Sequence, residues 1–330
     1  MYRSFRIIAH LNILFYIFLI NNSVITCDKE NNTNYAKRLP QAIIIGAKKC
    51  GTRALLKFIG AHPNVSTAGA ELHFFDRFYH MGLDWYKEQM PYSFENQITI
   101  EKTPKYLIDK QVPERVYQMN PNIKLIVVLR NPVTRAISEY VQGQWRKKRF
   151  IDSSNFPNTI TNHSKPITST LSSSSSLSGI TKLTDSQRFE QMLYDKRYKN
   201  HTIKSNWAVV RNGIYIQHLK QWLKFFPREN FLFINGEKLI QEPSVELNKL
   251  QLFLNLKPVI KKEHFVHNKR KGFACILKPL DSKQVRCLSD QKGRKHPIID
   301  NKILADLYKF YKPYNKQLFD FLQQDPWWPI

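Results

Sequence analysis

The chain predicts an α/β fold with a central parallel sheet flanked by helices. Three observations predict it. Short apolar runs without alternation recur along the chain, as strands buried on both faces require. Stretches with helical spacing lie between them. The first apolar run opens into a loop rich in Gly and Lys that leads straight into a helical pattern. With 330 residues, 42% hydrophobic and 13% aromatic, the chain has material for one large domain or two small ones, which argues against global disorder.

In chain order, Arg3 and Arg6 precede an apolar run from Ile7 to Ile20, interrupted by His10 and Asn12. Basic residues before a short apolar stretch have the pattern of a signal peptide or signal-anchor, here residues 1–26. The run is shorter than the ~20 residues of a membrane span. An uncleaved anchor would need Val24 to Thr26 as an extension. Residues 27–40 are polar and Asn-rich and are expected to form a stem, with the folded domain over 41–330.

Ala42 to Ile45 is the first expected strand, bounded by Pro40 and Gly46. Thr52 to Ile59 follows as a helix with Leu55, Leu56 and Ile59 on one face. Ile98 to Ile100 is a second strand, ending at Glu101-Lys102-Thr103-Pro104. Lys124 to Leu129 is a third, ending at Arg130-Asn131-Pro132 and followed by a helix from Thr134 to Gln144. Phe231 to Ile234 is a fourth, before Gly236. The segment at about 152–185 is Ser/Thr-rich, with Ser172 to Ser176 in a row. It cannot bury a core and is expected to be a disordered insertion. Asp300 to Phe321 has helical periodicity, and Trp327-Trp328 are expected to pack.

Charge narrows the partner. Lys and Arg number 51 against 26 Asp and Glu, a net +25, which implies a polyanion. Nucleic acid, anionic lipid and acidic polysaccharide all satisfy charge alone. Five Asn-x-Ser/Thr sequons start at Asn21, Asn31, Asn64, Asn162 and Asn200. Cys275 and Cys287 are spaced to close a small loop, a disulfide in an oxidising compartment. Neither cysteine pair has zinc-ligand spacing, and no metal is expected. Exported basic proteins rarely meet nucleic acid, so no nucleic-acid partner is expected and polysaccharide leads.

Five constellations carry chemistry. Gly46-Ala47-Lys48-Lys49-Cys50-Gly51-Thr52-Arg53 turns from strand to helix, where backbone N–H groups and a helix N-terminus favour an anion. Lys49 adds a charge and Thr52 a hydroxyl. The Gly-Lys-Ser/Thr ending of a nucleotide P-loop is absent, as is an evident magnesium ligand, so a phosphosulfate suits it better than a triphosphate. Cys50, at the helix start beside Lys48, Lys49 and Arg53, is expected to be free with a lowered pKa. Glu71 and His73 point the same way if extended, and Phe74 and Phe75 are expected to desolvate the carboxylate and raise its pKa. Lys102 is expected in a strand-end loop, since Pro104 disfavours helix at Thr103. Arg130, with Ser138 on the next helix, suits a phosphate monoester. Lys292-Gly293-Arg294-Lys295-His296 follows Cys287 as a flexible cationic clamp.

These segments, in this order, resemble the heparan sulfate glucosamine 3-O-sulfotransferases. The resemblance runs from Gln41 to the C-terminus apart from the Ser-rich insertion. It rests on Gly-Ala-Lys-Lys-Cys-Gly-Thr-Arg-Ala-Leu-Leu, Ala-Glu-Leu-His-Phe-Phe-Asp, Glu-Lys-Thr-Pro, Arg-Asn-Pro-Val-Thr-Arg-Ala-Ile-Ser-Glu-Tyr, Lys-Gly-Phe-x-Cys and Lys-Gly-Arg-x-His-Pro. It implies a P-loop-like sulfotransferase fold and transfer from 3′-phosphoadenylyl sulfate to the 3-hydroxyl of glucosamine in heparan sulfate, without metal. Glu71 is then the base, with Lys49, Lys102, His73 and Asp76 catalytic beside it. Lys49, Cys50, Gly51, Thr52 and Arg53 hold the 5′-phosphosulfate, and Arg130 and Ser138 the 3′-phosphate. Lys292, Gly293, Arg294, Lys295 and His296 close over the donor. The acceptor face comprises Glu71, Leu72, His73, Phe74, Phe75, Asp76 and Arg77, then Lys102, Thr103, Pro104 and Lys105, then Gln142, Trp207 and Ala208. The implied setting is the Golgi lumen as a type II membrane protein, attached through the N-terminal segment if uncleaved, or secretion after cleavage.

The chain departs from the family pattern at Cys50, where Gly is usual, near Val266-His267, where aromatics are usual, and at the insertion. The alternatives are transfer to another acidic glycan, or a non-catalytic heparin-binding relative. Loss of Glu71 or Lys49 would have marked the latter, and both are present.

Overall fold

The computed structural model describes residues 34–154, 183–198, 201–270, 272–289 and 294–329. The expected N-terminal signal-anchor, the bulk of the Ser-rich insertion, and Lys292 and Gly293 lie outside them. Among the described residues no helix is long and apolar enough to cross a membrane.

The elements run β1 (Tyr35–Lys37), β2 (Ala42–Gly46), α1 (Thr52–Ile59), β3 (Val65–Thr67), a π-helical turn (Phe74–Phe78), α2 (Gly82–Glu88), β4 (Tyr92–Phe94), β5 (Ile98–Lys102), α3 (Val112–Met119), β6 (Lys124–Leu129) and α4 (Pro132–Ser154). After the insertion come α5 (Asp185–Leu193), α6 (Ala208–Arg211), α7 (Tyr215–Trp222), β7 (Phe231–Asn235), α8 (Gly236–Gln241), α9 (Pro243–Phe253), β8 (Phe265–Asn268), β9 (Phe273–Leu277), β10 (Val285–Arg286) and α10 (Asn301–Leu322).

Five parallel strands form the central sheet in the order β3-β5-β2-β6-β7. The register pairs Ile44 with Lys102 and with Ile126, and Leu129 with Asn235. β2 and β6 supply unbroken Ile, Val and Leu because both sheet faces are covered. α1 and α9 pack against each other; α1 packs on β2 and β5, and α9 on β7. The turn at Tyr106–Ile108 packs on β2 with α7 behind it. Every strand of this sheet points the same way, so the segments after β2, β5, β6 and β7 leave from one edge. That edge is where the sequence motifs converge.

Several expectations change in extent. The stem begins to fold before residue 40, since β1 pairs antiparallel with β4. The helix expected to end at Gln144 continues to Ser154, so the start of the expected insertion is helical. Leu183 and Thr184 at its far end lead into α5, whose N-cap Thr184 and Gln187 form a reciprocal capping box. β5 runs two residues further than expected, which puts Lys102 inside the strand.

A second sheet, ordered β10-β9-β8, carries the disulfide between Cys275 and Cys287, with Cα atoms 4.5 Å apart. Lys57 Nζ donates to the Cys287 carbonyl at 2.5 Å and ties this hairpin to α1. Val266 and His267 are exposed on β8.

Candidate active site

The site is built from the loop after β2 outward. Lys49 and Gly51 both have left-handed backbone, at φ 74° and φ 105°. Such a turn is the kind whose amides gather around an anion. Gly51 suits it because a Cβ is strained at that φ. It caps α1 without a side-chain hydrogen bond, so the Thr52 and Arg53 amides keep their capacity for a ligand, while that of Ala54 donates to the Gly51 carbonyl at 2.8 Å. Gly236 lets the β7–α8 turn close against this loop. A Cβ there would stand 2.7 Å from the Cys50 carbonyl and 2.8 Å from that of Leu129.

Cys50 departs from expectation. Its thiol is 1% exposed and turned into the core, 3.4 Å from the Tyr215 hydroxyl. It is free. Burial pushes its pKa up to about 11, and the nearby Arg135 and Arg130 offset only part of that. The helix-start field does not win because the side chain is withdrawn from it. The Cys50 amide donates to the Ala47 carbonyl at 3.2 Å, and its sulfur is withdrawn into the core.

Lys48 Nζ forms an ion pair with Glu139 Oε1 at 2.6 Å. Arg135, fully buried, holds the other oxygen of Glu139 at 2.5 Å and donates to the Val209 carbonyl. Asn212 Nδ2 reaches both Glu139 oxygens at 3.4 Å. The loop, α4 and α6 are thereby locked together. Sequence reasoning missed Arg135 and Glu139. Their i, i+4 spacing on an evident helix was the available signal.

At the end of β6, Arg130 Nε lies 3.6 Å from Glu237 Oε1 and, although buried, has no hydrogen-bond partner among the described residues. Glu237 accepts from the Asn131 amide at 2.9 Å, and burial raises its pKa. Ser138 is half-buried on α4. His296 is held below its ordinary pKa by burial and by the charges of Arg130 and Lys49, which places the three within electrostatic reach. An orphaned guanidinium N–H, an uncapped helix start and gathered cations fit a ligand with two anionic groups.

Beside them, Lys102 Nζ is 0% exposed and donates to Glu71 Oε1 at 2.6 Å. The Glu71 side chain is 42% exposed. Its other oxygen lies 3.8 Å from His73 Nε2. His73 Nδ1 is 3.0 Å from both oxygens of Asp76, whose side chain is fully buried. Arg77 and Lys105 approach Asp76 at 3.7 and 3.6 Å. The left-handed backbone of His73, at φ 53°, folds Asp76 back under the imidazole. Desolvation works to raise the Glu71 pKa, but Lys102, His73 and Arg53 outweigh it and the net shift is downward. The expected raised carboxyl is therefore corrected.

The reason lies in the cations gathered at Glu71, and Phe74 and Phe75 lie in the core. Both are fully buried; Phe74 stacks on Tyr86 at 4.3 Å and Phe75 meets it edge-on at 5.3 Å between ring centroids. Thr103 and Pro104 are buried too. Leu72 is half-buried. Thr103 acts from below: its hydroxyl donates to Glu101 and accepts from the His73 amide at 3.4 Å. Glu101 is fully buried, and desolvation pushes its pKa to about 7.

Gln142 is half-buried on α4. Trp207 caps α6 and packs on Phe189, with ring centroids 5.8 Å apart, and Ala208 is exposed beside it. α4 and α6 pack together. Arg294 lies over the Trp145 ring at 4.3 Å.

Comparison with known proteins accords with this geometry. Residues 39–320 match the sulfotransferase domain family. Heparan sulfate glucosamine 3-O-sulfotransferase 3A1 of Mus musculus is 41% identical over 293 residues, 89% of this chain and 65% of that protein. The chain thus spans just under two thirds of that relative's length. Heparan sulfate glucosamine 3-O-sulfotransferase 6 of Homo sapiens is 40% identical over 88% of this chain and 74% of its own length. Among solved structures, a sulfotransferase from Alicyclobacillus acidocaldarius shares the fold, with a TM-score of 0.57 over 87% of this chain and 97% of its own, at 19% identity. The chain belongs to the sulfotransferase domain family and, within it, to the heparan sulfate glucosamine 3-O-sulfotransferases.

Proposed function

We propose that this chain transfers a sulfuryl group from 3′-phosphoadenylyl sulfate to the 3-hydroxyl of glucosamine units in heparan sulfate. The observation that carries the reading is the Glu71–Lys102 pair at the sheet edge, beside an uncapped anion loop. The donor supplies an activated sulfur: the acceptor oxygen bonds to it, the bond to the bridging phosphate oxygen breaks, and the electron pair leaves on 3′-phosphoadenosine 5′-phosphate. Lys49, the loop amides, Thr52 and Arg53 would hold the phosphosulfate end. Arg130 and Ser138 would hold the 3′-phosphate, and the 292–296 segment would close over it.

Glu71 takes the proton of the attacking hydroxyl. Lys102, buried against Glu71, keeps its carboxylate ionised at neutral pH. Asp76 binds His73 Nδ1 and so leaves Nε2 facing Glu71. Fixed cations around an in-line transfer stabilise the charge that builds in the transition state, and positioning supplies the rest. The net +25 suits a polyanionic acceptor. The disulfide and the sequons favour an oxidising, glycosylating compartment, and we assign the Golgi lumen, with membrane attachment through residues 1–26 if they are retained.

Disaccharide analysis of heparan sulfate treated with purified protein and donor tests the reading. New 3-O-sulfated glucosamine is expected. Sulfate appearing only on another acidic glycan, or none on any, would overturn it. In Glu71→Gln, turnover should fall by ~10²–10⁴ while 3′-phosphoadenosine 5′-phosphate still binds, because a general base acts on the proton and not on the donor.

A further inference from the structure

α4 does not end with its acceptor-side residue. Past Gln142 it continues as helix through Trp145-Arg146-Lys147-Lys148-Arg149. Four consecutive cations at 3.6 residues per turn encircle the helix. All four are exposed, and Arg146, Lys147 and Lys148 form no ion pair among the described residues. The preceding turn, Gln142 to Trp145, supplies no carboxylate. Asp152 is the one carboxylate of the following turn, at i+4 from Lys148 and i+3 from Arg149, and it leaves the run with a net positive charge that an anion would offset, since like charges one turn apart destabilise a helix.

Trp145 links the cations to the site. Arg149 lies 4.8 Å and Arg294 4.3 Å from its ring centroid. Arg294 belongs to the segment that also holds His296 near Lys49 and Arg130. Trp145, Arg146 and Arg149 follow Gln142 at i+3, i+4 and i+7, so they share its helix face. A basic track therefore leads from the acceptor side outward along α4.

We propose that the distal half of α4, steadied by Arg294 on Trp145, is a subsite for the sulfate and carboxylate groups of the acceptor chain, several sugar units away from the reacting glucosamine. The proposal rests on the transfer reading above and deepens it: the enzyme selects long, heavily charged stretches. Guanidinium forks and ammonium groups on a rigid helix match spaced sulfates better than a single anion.

The test compares wild type with Arg146→Ala/Lys147→Ala/Lys148→Ala, which spares the Trp145 contacts. Size-fractionated heparin oligosaccharides are the probe, read by calorimetric binding and by acceptor KM. In the wild type, affinity should climb with chain length. In the triple variant that climb should flatten, with roughly a tenfold loss for long chains, as three exposed charge pairs of low strength give. Lys309→Ala/Lys312→Ala/Lys316→Ala removes the same charge from exposed positions of α10 and should keep the climb. An unchanged climb in the α4 variant, or equal flattening in both, would overturn the proposal. So would anionic phospholipid vesicles that compete as well as long oligosaccharides. If no heparan-type chain is sulfated yet the α4 variant alone loses length-dependent binding, the subsite stands and the transfer reading falls.

Discussion

At the scale of single residues, the site turns on how Lys102 treats Glu71. A buried ammonium 2.6 Å from a half-exposed carboxylate favours the ionised form of the carboxylate. The carboxylate is therefore available as a base below its ordinary pKa of 4.5. With Glu71 as the proposed base, the acidic limb of kcat/KM should lie under pH 4.5. In Lys102→Ala, desolvation loses its main opponent, and the limb of the residual rate should move upward. A pH–rate profile of both proteins checks the direction, and a limb that stays put would detach Lys102 from Glu71. Cys50 shows the opposite balance, because burial dominates and its pKa rises to about 11. Iodoacetamide at neutral pH should leave Cys50 unlabelled in the native protein and label it after denaturation, with or without donor product. Peptide mass spectrometry reads the result.

At the scale of elements, β5 carries a conflict. It ends in Glu101-Lys102, which alternate across the sheet and are both fully buried. Lys102 meets Glu71, whereas Glu101 accepts from the Thr103 hydroxyl, with the Leu72 amide and Tyr86 hydroxyl close by, and its second oxygen has no hydrogen-bond partner among the described residues. Desolvation raises its pKa to about 7 from 4.5. A carboxyl whose folded pKa is raised supports the fold fully below pH 4.5 and loses that support as pH climbs to about 7. Stability should decline across this window by ~3 kcal/mol at most. Glu101→Gln cannot ionise and should remove that decline. Denaturant melts at pH 5 and pH 8 measure it, and a parallel slope in the variant would show that other groups cause it. Since Thr103 also receives the His73 amide, the same variant reports how firmly β5 supports the catalytic segment.

Across the whole molecule, a net +25 sets how acceptor and donor respond to salt. The Debye length shrinks from about 30 Å at 0.01 M to about 10 Å at 0.1 M ionic strength. Exposed cations that meet a long polyanion lose much of their attraction over that range. A donor held in a half-buried pocket by short contacts loses less. Acceptor KM should therefore rise several-fold more steeply with sodium chloride than donor KM. Equal slopes would show that the surplus charge serves something other than the acceptor.

The amino-acid sequence alone determined what local pattern can determine. Four strands of the central sheet, the loop into α1 and the α/β class were legible because unbroken apolar runs and helical periodicity are properties of neighbouring residues. Membership of the family was legible too, because short motifs in a fixed order survive as text. What only the tertiary structure decided was which side chains meet. Cys50 looked reactive from its position at a helix start, but the fold turns its thiol toward Tyr215, 165 residues away in sequence. Phe74 and Phe75 looked like shades for Glu71, but a π-helical turn and Tyr86 draw them into the core. Lys102 looked like a loop cation, yet β5 extends far enough to bury it against a carboxylate from another segment. The Lys48–Glu139 pair spans 91 residues, and no periodicity announces it. Charge state and reach depend on burial and on partners brought from far along the chain, and those are fixed only when the sheet, its edge and its helices have closed around them.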